Sequence, residues 1–88
     1  MPPSRDRTSF WRRTFDEARR HGDWYRVGKF YTRNTAAQIA SDIRRAHRVG
    51  RRATRTAGIR SGEVWEARWN EVKNGATGDY EVWIRRAG

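Results

Sequence analysis

The chain has no cysteine, two prolines, two histidines, one methionine and only two lysines among its 88 residues. Without cysteine there is neither a disulfide framework nor a thiolate zinc site. His21 and His47 are too few for a metal centre on their own, and neither has a nucleophile beside it to activate, so no metal, cofactor or catalytic residue is expected. No apolar run approaches the ~18 residues of a membrane span, and Met1 to Thr8 lead into no hydrophobic secretion segment. The expectation is a cytoplasmic protein with no membrane partner.

Eighty-eight residues allow one small domain, and a chain of this size buries only about 60% of the surface its unfolded form exposes. Hydrophobic residues make up 35% of the sequence and charged residues 34%, so the core must rest on a few large side chains, here five Trp, three Tyr and three Phe.

Charge of one sign is in short supply. Ten acidic side chains face twenty basic ones, for a net charge of +10. The excess is local: residues 1–60 hold sixteen basic and five acidic groups, whereas residues 61–88 hold four and five. Between Arg44 and Arg60 there are seven arginines, at 44, 45, 48, 51, 52, 55 and 60, and no acid. Such a run repels itself and gains nothing from exposure unless something anionic neutralises it, which points to a polyanionic partner. Eighteen of the twenty basic residues are Arg, which suits bidentate phosphate contact, although a GC-rich genome writes Arg over Lys whatever the function.

Residues 1–8 contain both prolines and show no apolar period, so they are expected to form a disordered leader, with one domain over residues 9–88. Phe10, Trp11, Thr14, Phe15 and Ala18 follow helical spacing after a cap at Thr8 or Ser9, and Gly22 offers a left-handed stop. Trp24 to Tyr31 alternates sides and is aromatic-rich, the pattern of a strand. Asn34 or Thr35 then caps a second helix with the stripe Ala36, Ile39, Ala40, Ile43 and Ala46, followed by a flexible Arg-rich loop at about residues 48–62. Last come two strands, Glu63 to Val72 and Thr77 to Arg85, around an Asn74-Gly75 type I′ turn. A two-residue turn there sets Trp65, Ala67 and Trp69 opposite Ile84, Val82 and Tyr80, and Arg68 opposite Glu81; a longer loop through Gly78 would alter that pairing. The order helix, strand, helix, strand, strand defines an α+β domain with a three-stranded sheet packed on one or two helices.

The string Trp24-Tyr25-Arg26-Val27-Gly28-Lys29-Phe30, with Ala36, Ala40 and Ile43, Trp65-Glu66-Ala67-Arg68 and Tyr80-Glu81-Val82-Trp83-Ile84-Arg85, resembles small uncharacterised proteins of actinobacteria and their phages. The matching positions are packing residues, so the resemblance implies a shared fold and a phage-like setting and no activity. A second similarity is to the opening of the peptidoglycan-binding SPOR module, where a Val-Gly-x-Phe strand precedes an Ala-rich helix. This chain departs from it by passing straight from strand to hairpin with no second long helix, and by lacking a secretion signal or membrane anchor, which argues against glycan binding.

Two surfaces are candidate sites. The first is a phosphate clamp made by Arg44, Arg45 and Arg48 on the second helix with Arg51, Arg52, Arg55 and Arg60 in the loop, with Arg12, Arg13, Arg26 and Arg33 as secondary contacts. The other arginines of the first helix have Asp16 and Glu17 within helical reach. The second is the sheet face away from the second helix, which gathers Trp24, Arg26, Phe30, Glu66, Arg68, Trp83 and Arg85. Because exposed Trp is costly in a small protein, the first helix is expected to cover that face with Trp11 and Phe15; left open, it would be a base-stacking surface. Glu71-Val72-Lys73 with Asp79 has the Glu-x-Lys spacing of some metal-dependent nucleases, but such spacing is common at strand ends and a further acid is missing. The expected function is therefore non-enzymatic nucleic-acid binding with weak or shape-dependent specificity, DNA ahead of RNA by the phage-like setting. The alternative is a phage-type interaction module docking on an acidic host protein. A homodimer through the hairpin's free edge is a further option.

Overall fold

The computed structural model describes residues 4–49, 56, 58–72 and 79–88, with the side chains of 4–8, 48 and 49 left aside. Its elements run α1 (Ser4–His21), β1 (Tyr25–Arg26), α2 (Arg33–Val49), β2 (Trp65–Glu71) and β3 (Tyr80–Arg86), the α+β order expected. The three strands form one antiparallel sheet in the order β1-β3-β2, so the last strand in sequence is the central one.

α1 starts at Ser4, four or five residues before the expected cap at Thr8 or Ser9, so the helix takes in residues 4–8 of the expected leader, and residues 1–3 lie outside the described residues. Both prolines precede it, where a missing N–H costs a first turn nothing, and no residue from Ser4 to Thr8 breaks a helix. It ends as expected: Gly22 takes φ +82° and its N–H donates to the Ala18 carbonyl at 3.2 Å. α2 is capped one turn earlier than Thr35. Thr32 Oγ1 accepts from the Thr35 N–H at 3.3 Å, which makes Thr32 the N-cap.

The expected strand from Trp24 to Tyr31 is broken. Tyr25 and Arg26 pair with Ile84 and Trp83, the chain bends at Gly28 and Lys29, and Tyr31 then bridges Tyr80. Two extra residues separate the two pairings and form a bulge.

The hairpin is present with its register displaced by two. Trp65 lies opposite Arg86, Ala67 opposite Ile84, Trp69 opposite Val82 and Glu71 opposite Tyr80. The Val72 N–H donates to the Asp79 carbonyl at 3.0 Å, so six residues connect the pair in place of a two-residue turn. The turn residues Asn74, Gly75 and Gly78 lie outside the described residues. A shift of two keeps every side chain on its face, so the apolar face is unchanged; the charge pairing becomes Glu66 with Arg85 at 2.6 Å, replacing Arg68 with Glu81.

Both helices lie on one side of the sheet. The α2 stripe Ala36, Ile39, Ala40, Ile43 and Ala46 is buried together with Trp11, Phe15 and Ala18 of α1 and Val27, Trp65, Ala67, Val82 and Ile84 of the sheet. Phe15 meets Trp65 edge-on at 4.8 Å. Trp11 and Phe15 thus pack beside α2, and the expectation that they cover the opposite face is overturned. The reason is economy of apolar surface: α1 has one such stripe, and the core beside α2 uses all of it.

The segment before β2 joins this core. Thr56 and Ile59 are buried, and Gly58 lies so close to α1 that a Cβ there would fall 2.8 Å from Phe15 Cδ2 and 2.9 Å from the Trp11 carbonyl oxygen. Of the flexible loop expected at about 48–62, α2 takes in residues up to Val49, and Thr56 and residues 58–62 are placed before β2; residues 50–55 and 57 lie outside the described residues.

Buried Glu63 locks the segment to α1. Arg19 Nε donates to Glu63 Oε2 and Arg19 Nη2 to Oε1, both at 2.7 Å. The Arg60 N–H adds a bond at 2.7 Å and Trp65 Nε1–H another at 3.3 Å, both to Oε1. These donors, the Arg19 guanidinium foremost, outweigh the cost of burial and hold the carboxyl at about 2 against the ordinary 4.5.

Candidate nucleic-acid interface

The sheet face turned away from the helices carries Trp24, Arg26, Glu66, Arg68, Asn70, Glu81, Trp83 and Arg85, because their cross-strand partners alternate with the buried set. Trp24 precedes β1 on one side of β3, yet its indole reaches β2 on the other. The Arg68 guanidinium sits over its ring at 4.2 Å and that of Arg85 at 4.8 Å. Arg85 is held in turn by Glu66, with Asp23 at 3.7 Å. Trp83 is oriented by its own edge: Nε1–H donates to Glu81 Oε2 at 3.0 Å, and Asn70 Nδ2 donates to the same oxygen at 2.8 Å. These bonds, with Arg26 nearby, keep the Glu81 carboxyl below its usual range. Arg26 stacks over Phe30 at 5.2 Å, and Phe30 remains 50% exposed. The face is thus a pre-oriented set of aromatic and guanidinium planes.

At the β2 edge this face meets the basic end of α2. Trp24, Ser41, Arg44, Arg45, Trp65, Glu66 and Ala67 line an open cleft of about 510 Å³. Arg44 Nη1 donates to the Ala67 carbonyl at 2.9 Å, which places its guanidinium at the edge and occupies one acceptor there. Arg45 is about half exposed, with Asp42 3.7 Å away, too far for more than a weak pair.

The structure brings the expected clamp together only in part. Arg44 and Arg45 share the cleft, whereas Arg60 belongs to the turn before β2, with its guanidinium 3.9 Å from Asp16 and largely exposed. The Arg48 side chain and Arg51, Arg52 and Arg55 lie outside the described residues. Of the secondary candidates, Arg26 is on the open sheet face, Arg33 stands over Trp69 at 6.0 Å at the start of α2, and Arg12 and Arg13 are exposed on α1. Arg19 and Arg20 pair with Asp16 and Glu17 at 2.7 and 2.9 Å, as their spacing suggests. Sequence reasoning placed Arg68 and Arg85 on the open face without seeing that both stack on Trp24. Alternation assigns the face; the reach of Trp24 across β3 has no signal in the pattern.

Among the described residues no group of three or more His, Asp or Glu could hold a metal ion, and no helix is long and apolar enough to cross a membrane. His21 closes α1 against Tyr25 with ring centres 5.8 Å apart, and His47 lines a smaller cavity of about 260 Å³ with Arg60 and Glu63. Glu71 is exposed at the end of β2, and Lys73 lies outside the described residues. No family model matches the chain, and no curated protein or solved structure is similar to it.

Proposed function

We propose that this is a non-enzymatic nucleic-acid-binding protein that holds phosphates with the arginine-rich end of α2 and the segment after it, Arg44 to Arg60, and so works in the cytoplasm at the nucleoid. The observation that carries the reading is the cleft lined by Arg44, Arg45 and Trp24: cationic side chains and a flat ring around one opening match the charge and flat rings along a nucleic-acid strand. The acid-free run of seven arginines adds to it, since phosphates neutralise such a cluster and binding releases their counterions. In the phage-like setting that the sequence resemblance implies, DNA is the first partner to try.

A gel shift tests the proposal. Binding to unrelated DNA sequences at about 50 mM salt, falling by orders of magnitude by about 200 mM, is the expected result. Replacing Arg51, Arg52 and Arg55 together with Ala weakens that binding and leaves the circular dichroism spectrum intact. Unchanged affinity in the folded triple variant removes these arginines from the interface. Retention of an acidic host protein, with no nucleic acid bound at low salt, replaces the proposal with the interaction-module alternative.

A further inference from the structure

Building on that assignment, we infer that the ligand is an unpaired strand whose bases stack on the open sheet face while its phosphates follow the β2 edge to Arg44 and Arg45. The distribution of charge on the face argues for this division. Glu81 on the central strand, held below its usual range by Trp83 and Asn70, and Glu66 on the edge strand, paired with Arg85, offset much of the charge that Arg26, Arg68 and Arg85 bring to the face. The carboxylates weaken the pull of the face on phosphate oxygens and leave neutral base rings unaffected. The arginines of the α2 end lie at the periphery, where a backbone can reach them while its bases turn inward.

The planes are of the right kind. Phe30 is half exposed, Trp83 is fixed by its N–H bond so that little freedom is lost on stacking, and the guanidinium groups of Arg26, Arg68 and Arg85 lie against aromatic rings. Both aromatic rings and Arg planes stack with unpaired bases, and every base has such a face, so the preference is for single strands and only weakly for sequence. A duplex keeps its bases stacked on one another and offers this face none of them to stack on.

The test titrates the full chain with fluorescently labelled oligothymidylate and with the same strand paired to oligoadenylate. The single strand is expected to bind at least about tenfold more tightly. Trp83→Ala and Phe30→Ala each lower its affinity roughly five- to a hundredfold, the range for loss of one stacked base, while leaving the salt dependence unchanged because no phosphate contact is lost. Trp83→Phe restores most of the loss, since the ring is kept and only the N–H to Glu81 goes. Arg45→Ala does the opposite and flattens the salt slope. Phe30 is exposed enough for its variant to fold, so the test survives if Trp83→Ala does not. Equal or tighter duplex binding, with the Phe30 and Trp83 variants behaving as the parent, overturns the stacking face and leaves the arginine interface standing. Failure of both strands to bind at low salt overturns both.

Discussion

Glu63 offers the sharpest check on the physical account of the fold. Its carboxylate is about 7% exposed and accepts four hydrogen bonds, two of them from Arg19, which is itself about 12% exposed. Glu63→Gln keeps the shape but sets amide hydrogens against N–H donors and leaves Asp16 to balance the Arg19 charge; breaking a buried pair costs up to about 3–5 kcal/mol. The proton-binding behaviour leads to a similar figure. The folded carboxyl titrates at about 2 and the unfolded one near 4.5, so below 4.5 the unfolded chain takes up a proton that the folded chain does not. Stability from this group is complete above about pH 4.5 and is lost as pH falls towards 2. The gap corresponds to about 3 kcal/mol. For a domain of this size that is roughly 12–24 °C in melting temperature. Urea and thermal denaturation followed by circular dichroism at pH 7, 4 and 2.5 measures it. The parent should lose stability across that interval, and Glu63→Gln should start lower at pH 7 and lose about 3 kcal/mol less on acidification. A variant within about 0.5 kcal/mol of the parent at pH 7, or one with an identical acid response, would falsify the assignment of Glu63 as the lock between α1 and β2.

Two further outcomes bear on packing and register. Gly58→Ala brings a methyl group within 3.0 Å of the Phe15 ring, the Trp11 carbonyl and Arg12 Cα, two of them backbone that cannot swing aside, so it should destabilise by about 1–3 kcal/mol; a melting temperature equal to the parent's refutes the close approach of this segment to α1. Cross-strand nuclear Overhauser contacts should pair Ala67 with Ile84 and Trp69 with Val82. Contacts between Trp65 and Ile84 instead would restore the two-residue turn.

Much of this architecture was legible before any coordinates. The α2 stripe is buried at every position its spacing selected, because small and branched residues at three and four can only face one way on a helix. Alternation along Trp65–Glu71 and Tyr80–Arg86 gave the correct faces even though the pairing slipped, since a displacement of two residues is invisible to a period of two. The Asn74-Gly75 signal outranked Gly78 because turn chemistry is local, and the pairings that decided the issue, Glu66 with Arg85 and Asn70 with Glu81, are not. The open face was misjudged for a related reason. Exposed Trp was treated as a cost to be covered by a helix, whereas Trp24 meets that cost with Arg68 and Arg85, charges that stack on it from two other strands. In the clamp region, charge density singled out Arg44 and Arg45 but could not reveal that Gly58 lies against α1 and that Thr56 and Ile59 are buried, three small or uncharged residues amid arginines.

The central place of β3 bears on how the molecule comes to be made. β1 and β2 share no ladder and are joined only through Tyr80–Arg86, which emerges from the ribosome after both. Until those residues clear the exit tunnel, the nascent chain has no sheet to close, so completion of the fold waits for its central strand. A premature stop codon in place of Tyr80 would therefore forfeit the whole sheet, not merely one strand of it.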